Sequence, residues 1–364
     1  KNMYGINAIL SLAFTLFSTS NIAADILTKN NAIKRTPTAF WIPAKNDSTP
    51  NIIISAIPSI CPHTLTNIVT IAYINIKITT TKNKKEANAI LDDIDYLYST
   101  YHKLTSRYDY YEGITNVYYL NEELEDNKEI EIDKKLSDII NIGIDYYNKT
   151  DGLFNIAAGN LTGVWKEYIN KCNSLPNNKE LDVNINIDDI KLDNNKYTKY
   201  NDIKLDLGGI AKGYVTELVG NYLEDNNINN YIINAGGNVK VGKAYNKEYY
   251  VVGITNPDNT SNIFTKVNIN NLSVVTSGNY QRYCDIDNTR YSHIINPITK
   301  KPSNYMKSVT VITKSSLLAD IYSTYLYLLP VDKGLEVVNN NSDIEAIWYI
   351  DKDNIVRSDN FNYE

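Results

Sequence analysis

Asp320 and Thr324 stand one helical turn apart in LLADIYST, residues 317–324. A carboxylate and a hydroxyl at that spacing share a helical face and can hold a hard cation such as Mg²⁺, which takes oxygen ligands. A plain hydrogen bond between the two side chains uses the same spacing. A second cluster, LDLGGIAK (205–212), sets the carboxylate of Asp206, Gly208, Gly209 and the amine of Lys212 close together. Glycines at a strand-to-helix junction let backbone approach a ligand, and the free N–H groups of the helix start suit an anion. Tight packing of helix on strand asks for the same glycines. NAGGN (234–238) offers either positive φ and close ligand approach or a simple turn. TSGNYQRY (276–283) and YSHIINP (291–297) collect hydroxyls, a glycine, Arg282 and His293. Such groups build a phosphate or nucleotide pocket, although taken singly Arg282 reads as a surface charge and His293 as a core histidine.

The elements that must position these clusters follow from periodicity. Tyr200, Ile203, Leu205 and Leu207 supply the apolar positions of an alternating strand before the glycines, and Ala211, Val215, Leu218 and Tyr222 recur at helical spacing after them. IVTIAYINIKI (68–78) reads as a strand, with order beginning near Thr66. Ile90, Ile94, Leu97, Tyr101 and Leu104 predict one helix; Leu136, Ile140, Ile144 and Tyr147 predict another, ended by Asp151-Gly152. Strands are expected around 231–233, 249–254 and 308–312. A helix follows Lys314, with Leu317, Ile321 and Leu328 inward, and 344–356 reads as a hairpin turning at 351–354. Strands and helices mix without βαβ alternation, which predicts an α+β fold of mixed or antiparallel sheets flanked by helices.

The 364-residue chain is 43% apolar and 21% charged, enough for a true core, and its net charge of −6 argues against a sequence-independent nucleic-acid binder. Lys1, an apolar run over 6–17 and small residues to Ala24 have the shape of a secretory signal. Three segments are therefore expected: a leader (1–24), a linker or loosely ordered stretch (25–62) and one domain (63–364). With them goes an extracytoplasmic, membrane-associated or periplasmic location. Cys61, Cys172 and Cys284 have no metal-ligand spacing, and an odd number closes no disulfide framework, so all three read as incidental.

In chain order, DGLFN (151–155), LDLGGIAKGY (205–214), NAGGN, TSGNYQRY, HIINP with Lys301-Pro302 behind it, and SVTVI followed by LADIYST resemble the ApbE family, the FAD:protein FMN transferases. The resemblance runs from about Thr66 to the C-terminus. It implies a ligand cleft between two subdomains, with FAD as substrate and Mg²⁺ against its pyrophosphate. Gly209 (through its carbonyl), Asp320 and Thr324 match the metal ligands. Asp206 and Lys212 match FAD contacts, and Tyr108 resembles the aromatic that packs on the flavin. Leu153, Phe154 and Asn155 fall on a flavin-contact segment; Thr276, Ser277, Gly278, His293 and Ile294 finish the pocket. His293 is the candidate base, with an unperturbed pKa near ~6.5, or else a phosphate ligand. Two positions depart from the family: Asn155 stands for its usual aspartate and Gln281 for an acidic residue.

The implied activity moves FMN from FAD to a Thr or Ser hydroxyl of an acceptor flavoprotein, within a motif resembling S/T-G-A-T/S, and releases AMP. Membrane-associated electron-transport subunits and extracytoplasmic flavoproteins are the expected acceptors. With water as nucleophile the same site would be an FAD pyrophosphatase; without chemistry it would be a flavin-binding protein.

Overall fold

The computed structural model describes residues 54–55, 65–71 and 74–363. The expected leader, most of the expected linker and Cys61 lie outside the described residues. In chain order the elements are β1 (Ile54–Ser55), β2 (Leu65–Ile71), β3 (Ile74–Thr80), α1 (Lys84–Thr105), β4 (Glu129–Glu131), α2 (Lys134–Lys149) and α3 (Gly159–Lys171). There follow β5 (Ile190–Asp193), β6 (Lys196–Lys199), α4 (Ala211–Asp225), β7 (Asn230–Ala235), β8 (Asn238–Val241), β9 (Tyr250–Asn256), β10 (Asn259–Ile269) and β11 (Ser273–Gly278). The last third holds β12 (Tyr283–Ile286), β13 (Thr289–Ser292), β14 (Ile295–Asn296), β15 (Lys301–Pro302), β16 (Ser308–Thr313), α5 (Ser316–Leu328), α6 (Val331–Asn339), β17 (Ile344–Asp351) and β18 (Asn354–Arg357).

The main sheet has eight strands in the order β18-β17-β16-β11-β8-β7-β3-β2, each neighbouring pair antiparallel. Period-two alternation divides its side chains between two faces. On one face Ile76, Ile78, Tyr231 and Ile233 pack with α1, α2 and α4. Along the same face Val275, Val309, Val311 and Trp348 pack with Ala319, Leu326 and Tyr327 of α5. On the other face Ile232, Val239, Val274, Ile312 and Ile347 meet Val252 and Ile254 of β9 and Val267 and Ile269 of β10. The fold is α+β, as expected.

Three expectations are corrected. The stretch 68–78 forms not one strand but two, β2 and β3, paired antiparallel from Leu65↔Thr80 to Ile71↔Ile74. The apolar residues before Gly208 form no strand; a single parallel bridge, Ala158↔Lys204, is the ladder contact there. Their backbone is satisfied otherwise. Gly159 N donates to Lys204 O (2.9 Å) and Asp206 N to Ile156 O (2.8 Å), while the buried Asn121 amide clamps Leu205 N (2.7 Å) and Leu205 O (2.9 Å). Finally, the cysteines are not all incidental: Cys172 and Cys284 form a disulfide. An odd count excludes only that every cysteine pairs.

Candidate active site

Helix α4 starts immediately after Gly208-Gly209 and runs against α5. The two helices touch at Gly213, where a Cβ would stand 2.5 Å from Asp320 Cβ and 2.6 Å from Ser316 O. That contact seats Asp320 on the start of α4. Gly213 N donates to Asp320 Oδ2 (2.7 Å), and the Lys212 ammonium stands 3.8 Å from Oδ1. Asp320 is 3% exposed. Burial raises its pKa, against the pull of Lys212, the Gly213 N–H and the nearby Asn238 amide. The helix N-terminus thus partly compensates a buried charge. Thr324, one turn on, donates to Asp320 O (3.3 Å). A Cβ at Gly209 would lie 3.3 Å from Thr324 Oγ1 and 3.1 Å from Phe154 Cε2, so a side chain there would fill the space before the hydroxyl.

The Asp206 side chain is engaged within the protein. It accepts from Arg107 Nη1 (2.6 Å), Thr162 Oγ1 (2.7 Å) and Gly208 N (2.9 Å). Burial alone would raise its pKa, but Arg107 and these donors outweigh it and hold the carboxyl below its usual range. Arg107 also donates to Thr162 Oγ1 and Gly159 O (both 2.7 Å), tying the start of α3 to the glycine segment. Tyr108, next in the chain, is 52% exposed. Lys166 Nζ lies 3.1 Å from its ring centroid and Arg107 Cζ 5.2 Å.

His293 follows β13. The Arg282 carbonyl accepts from His293 N (3.1 Å) and from Nδ1 (3.2 Å). A carbonyl only accepts, so Nδ1 carries the proton and Nε2 keeps its lone pair. Desolvation first, then the Arg282 and Lys212 cations, push the imidazole down to about 4; the Arg282 carbonyl and Asp206 resist. The ordinary value near ~6.5 expected for a base is therefore corrected downward. His293 thus lies within electrostatic reach of both Lys212 and Asp206.

A profile of the ApbE family matches residues 68–348. The chain belongs to the ApbE family. Among similar proteins, the FAD:protein FMN transferase of Klebsiella pneumoniae (strain 342) is 32% identical over 216 residues, covering 57% of this chain and 66% of that protein. That of Haemophilus influenzae is 28% identical over 301 residues, covering 79% and 82%. The chain thus spans just under two thirds of the Klebsiella protein and about four fifths of the Haemophilus one. The crystal structure of the ApbE protein of Thermotoga maritima superposes with a TM-score of 0.70 at 25% identity, covering 82% of this chain and 98% of that one. The flavin transferase ApbE of Vibrio cholerae gives 0.69 at 22% identity with the same coverage, a likeness of fold.

The remaining residues of the ApbE motifs are distributed unevenly. Ser277 Oγ meets Ser323 Oγ (2.9 Å) on the α5 side. Thr276 points to the opposite face, its buried hydroxyl on Thr310 (2.8 Å), away from Asp320. Gly278 lies under Tyr280, whose Cε1 would stand 2.4 Å from a Cβ there. Ile294 packs with the α5–α6 cluster. Phe154 is buried beneath Gly209, while half-buried Leu153 caps the turn after α2 by donating to Thr150 O (3.0 Å). Asn155 braces its own loop: Nδ2 donates to Ile185 O (2.9 Å) and Oδ1 accepts from Ala157 N (2.8 Å). An aspartate could not make the first of these bonds.

Arg107, Lys166 and Thr162 were not singled out from the sequence, because their partners are remote in the chain. A cavity of ≈ 520 Å³ runs past Arg107, Tyr108, Gly159, Gly163 and Lys166, and its lining includes neither Asp320 nor His293. Among the described residues no group of three or more His, Cys, Asp or Glu side chains is arranged to hold a metal. One turn from the Asp320 carboxylate stands the Thr324 hydroxyl, and Gly209 packs against that hydroxyl. A buried, undercompensated carboxylate beside a neutral hydroxyl fits a hard cation that keeps waters or phosphates in its shell.

Proposed function

We propose that this chain transfers the FMN moiety of FAD to a Thr or Ser hydroxyl of an acceptor flavoprotein, with Mg²⁺ held by Asp320, Thr324 and the Gly209 carbonyl. The observation that carries the reading is the buried Asp320 beside Lys212 and Thr324, with a neutral His293 in electrostatic reach. The acceptor oxygen attacks the FMN phosphorus, the P–O bond to the AMP phosphate breaks, and AMP leaves with the bridging oxygen. The hydroxyl proton passes to His293 Nε2, which is free because Nδ1–H is spent on Arg282 O. Lys212 adds a fixed charge at the pyrophosphate and Tyr108 an aromatic face for the ring system. When bound, Mg²⁺ offsets charge on the leaving phosphate. The acceptor segment resembles S/T-G-A-T/S in an electron-transport subunit, and the reaction takes place outside the cytoplasm. The Cys172–Cys284 disulfide favours that location, since such bonds persist in oxidising compartments.

The direct test incubates the chain with FAD, Mg²⁺ and an acceptor domain, reading in-gel flavin fluorescence and AMP. A fluorescent acceptor band with AMP in equal amount is expected. AMP without a labelled band, for every acceptor tried, makes the enzyme a pyrophosphatase; neither product overturns the reading.

His293 supplies a pH signature. A protonated imidazole cannot accept a proton, so kcat/KM should fall as pH drops through about 4, not through the ordinary histidine range. An anionic pyrophosphate beside Arg282 and Lys212 opposes the cations that depress the imidazole, so FAD binding should move the value upward. NMR titration of His293 with and without FAD reads both effects. An imidazole titrating in the ordinary range without FAD, or one indifferent to FAD, contradicts the assignment.

A further inference from the structure

The sequence signal NAGGN is not used by the mechanism above. Its glycines serve the turn: Gly236 (φ 60°) and Gly237 (φ 97°) link β7 to β8, and a Cβ at Gly236 would meet open space. A two-residue turn with positive φ at both positions closes a tight hairpin, here with Ala235 opposite Asn238. The turn delivers Asn238 to the helix-bearing face at 0% exposure. There Asn238 Oδ1 accepts from Ser316 Oγ (2.6 Å), the first residue of α5. Among the described residues its Nδ2 makes no hydrogen bond of ordinary geometry, but it lies close enough to the Asp320 carboxylate to help hold it charged. The reversed amide would set Oδ1 against that carboxylate, acceptor facing acceptor. The carboxylate, which only accepts, therefore selects the N–H₂ end of the amide, and the Ser316 hydroxyl braces the other end by donating to Oδ1. A buried donor without a partner is unfavourable and calls for a reason.

We infer that Asn238, braced by Ser316, is a positioning residue for Asp320, holding the carboxylate where it can take a cation. The inference rests on the metal role of Asp320 given above. Gly213 N and Lys212 approach the carboxylate from α4; Asn238 approaches from the sheet. With donors on two sides, the side chain cannot swing toward α4 and leave Thr324 without its partner ligand.

The test measures Mn²⁺ binding to the whole chain by loss of the free-ion EPR signal, without FAD, for wild type, Asp320→Asn, Asn238→Ala, Ser316→Ala and Asp320→Asn/Asn238→Ala. Melting curves in EDTA report the fold separately. Asn238→Ala should weaken Mn²⁺ by about 10- to 100-fold, as for other groups that orient a metal ligand. Ser316→Ala, which leaves Asn238 in place, should act in the same direction by a smaller factor. Asn238→Ala should add nothing once Asp320 is replaced. If Asp320→Asn loses Mn²⁺ while both Asn238→Ala and Ser316→Ala bind as wild type does, the positioning role is overturned and the metal reading stands. If Asp320→Asn binds like wild type, the metal reading falls and this inference with it. Should Asn238→Ala fail to fold, Ser316→Ala decides.

Discussion

Asp320→Asn should lower FMN transfer by about three orders of magnitude, because several kcal/mol of charge stabilisation on the leaving phosphate are lost. The effect on the metal-free fold should have the opposite sign. Burial raises the folded pKa of Asp320 above the 3.8 reference. The folded state therefore holds its proton to higher pH than the unfolded state, and stability falls as pH rises through that window. At neutral pH the ionised, buried carboxylate is a net cost unless a cation joins it. Asparagine keeps an oxygen to accept from Gly213 N and removes that cost, so in EDTA the variant should melt no lower than wild type. Transfer rates at saturating FAD and melting curves in EDTA check the two halves. A variant that keeps a tenth or more of the wild-type rate contradicts the first, and one that melts well below wild type contradicts the second.

How legible each part was depended on how local its cause is. Asp320 and Thr324 share one helical turn, so spacing alone placed them together. Asp206 was legible as a carboxylate beside glycines but not as the partner of Arg107, which lies 99 positions away and has no spacing to signal it. A subtler case is Thr276 beside Ser277. Read as a polar run they belong to one pocket, but on a strand neighbours face opposite ways, and one hydroxyl bonds Thr310 while the other bonds Ser323. Helix α3 could have been found: Leu161, Trp165 and Ile169 step by one turn and are all buried. Its two glycines masked that pattern. The apolar residues before Gly208 are strand-like in sequence, yet Asn121 and the loop at Ile156 take their backbone groups, a tertiary choice that periodicity does not encode.

Removing the Cys172–Cys284 disulfide should cost roughly 5 kcal/mol of stability, the chain-entropy value for a closed loop of this size, given a sequence separation of 112. The native state has independent contacts at that point. Trp165 stacks on Tyr291 at 5.9 Å and donates to Lys300 O (2.9 Å), while Leu161, Ile169 and Ile295 pack around Cys284. The reduced protein should therefore fold to the same structure with a smaller margin, since the bond acts chiefly on the unfolded chain. Its position adds a functional edge. Cys284 lies two residues beyond Arg282, whose carbonyl fixes both the backbone and the ring of His293. As the hairpin loosens, transfer activity should decline before global unfolding. Urea unfolding with and without dithiothreitol, repeated on Cys172→Ala, separates the effects: the variant should match reduced wild type and ignore the reductant. Equal midpoints for oxidised and reduced wild type would remove the stabilising role.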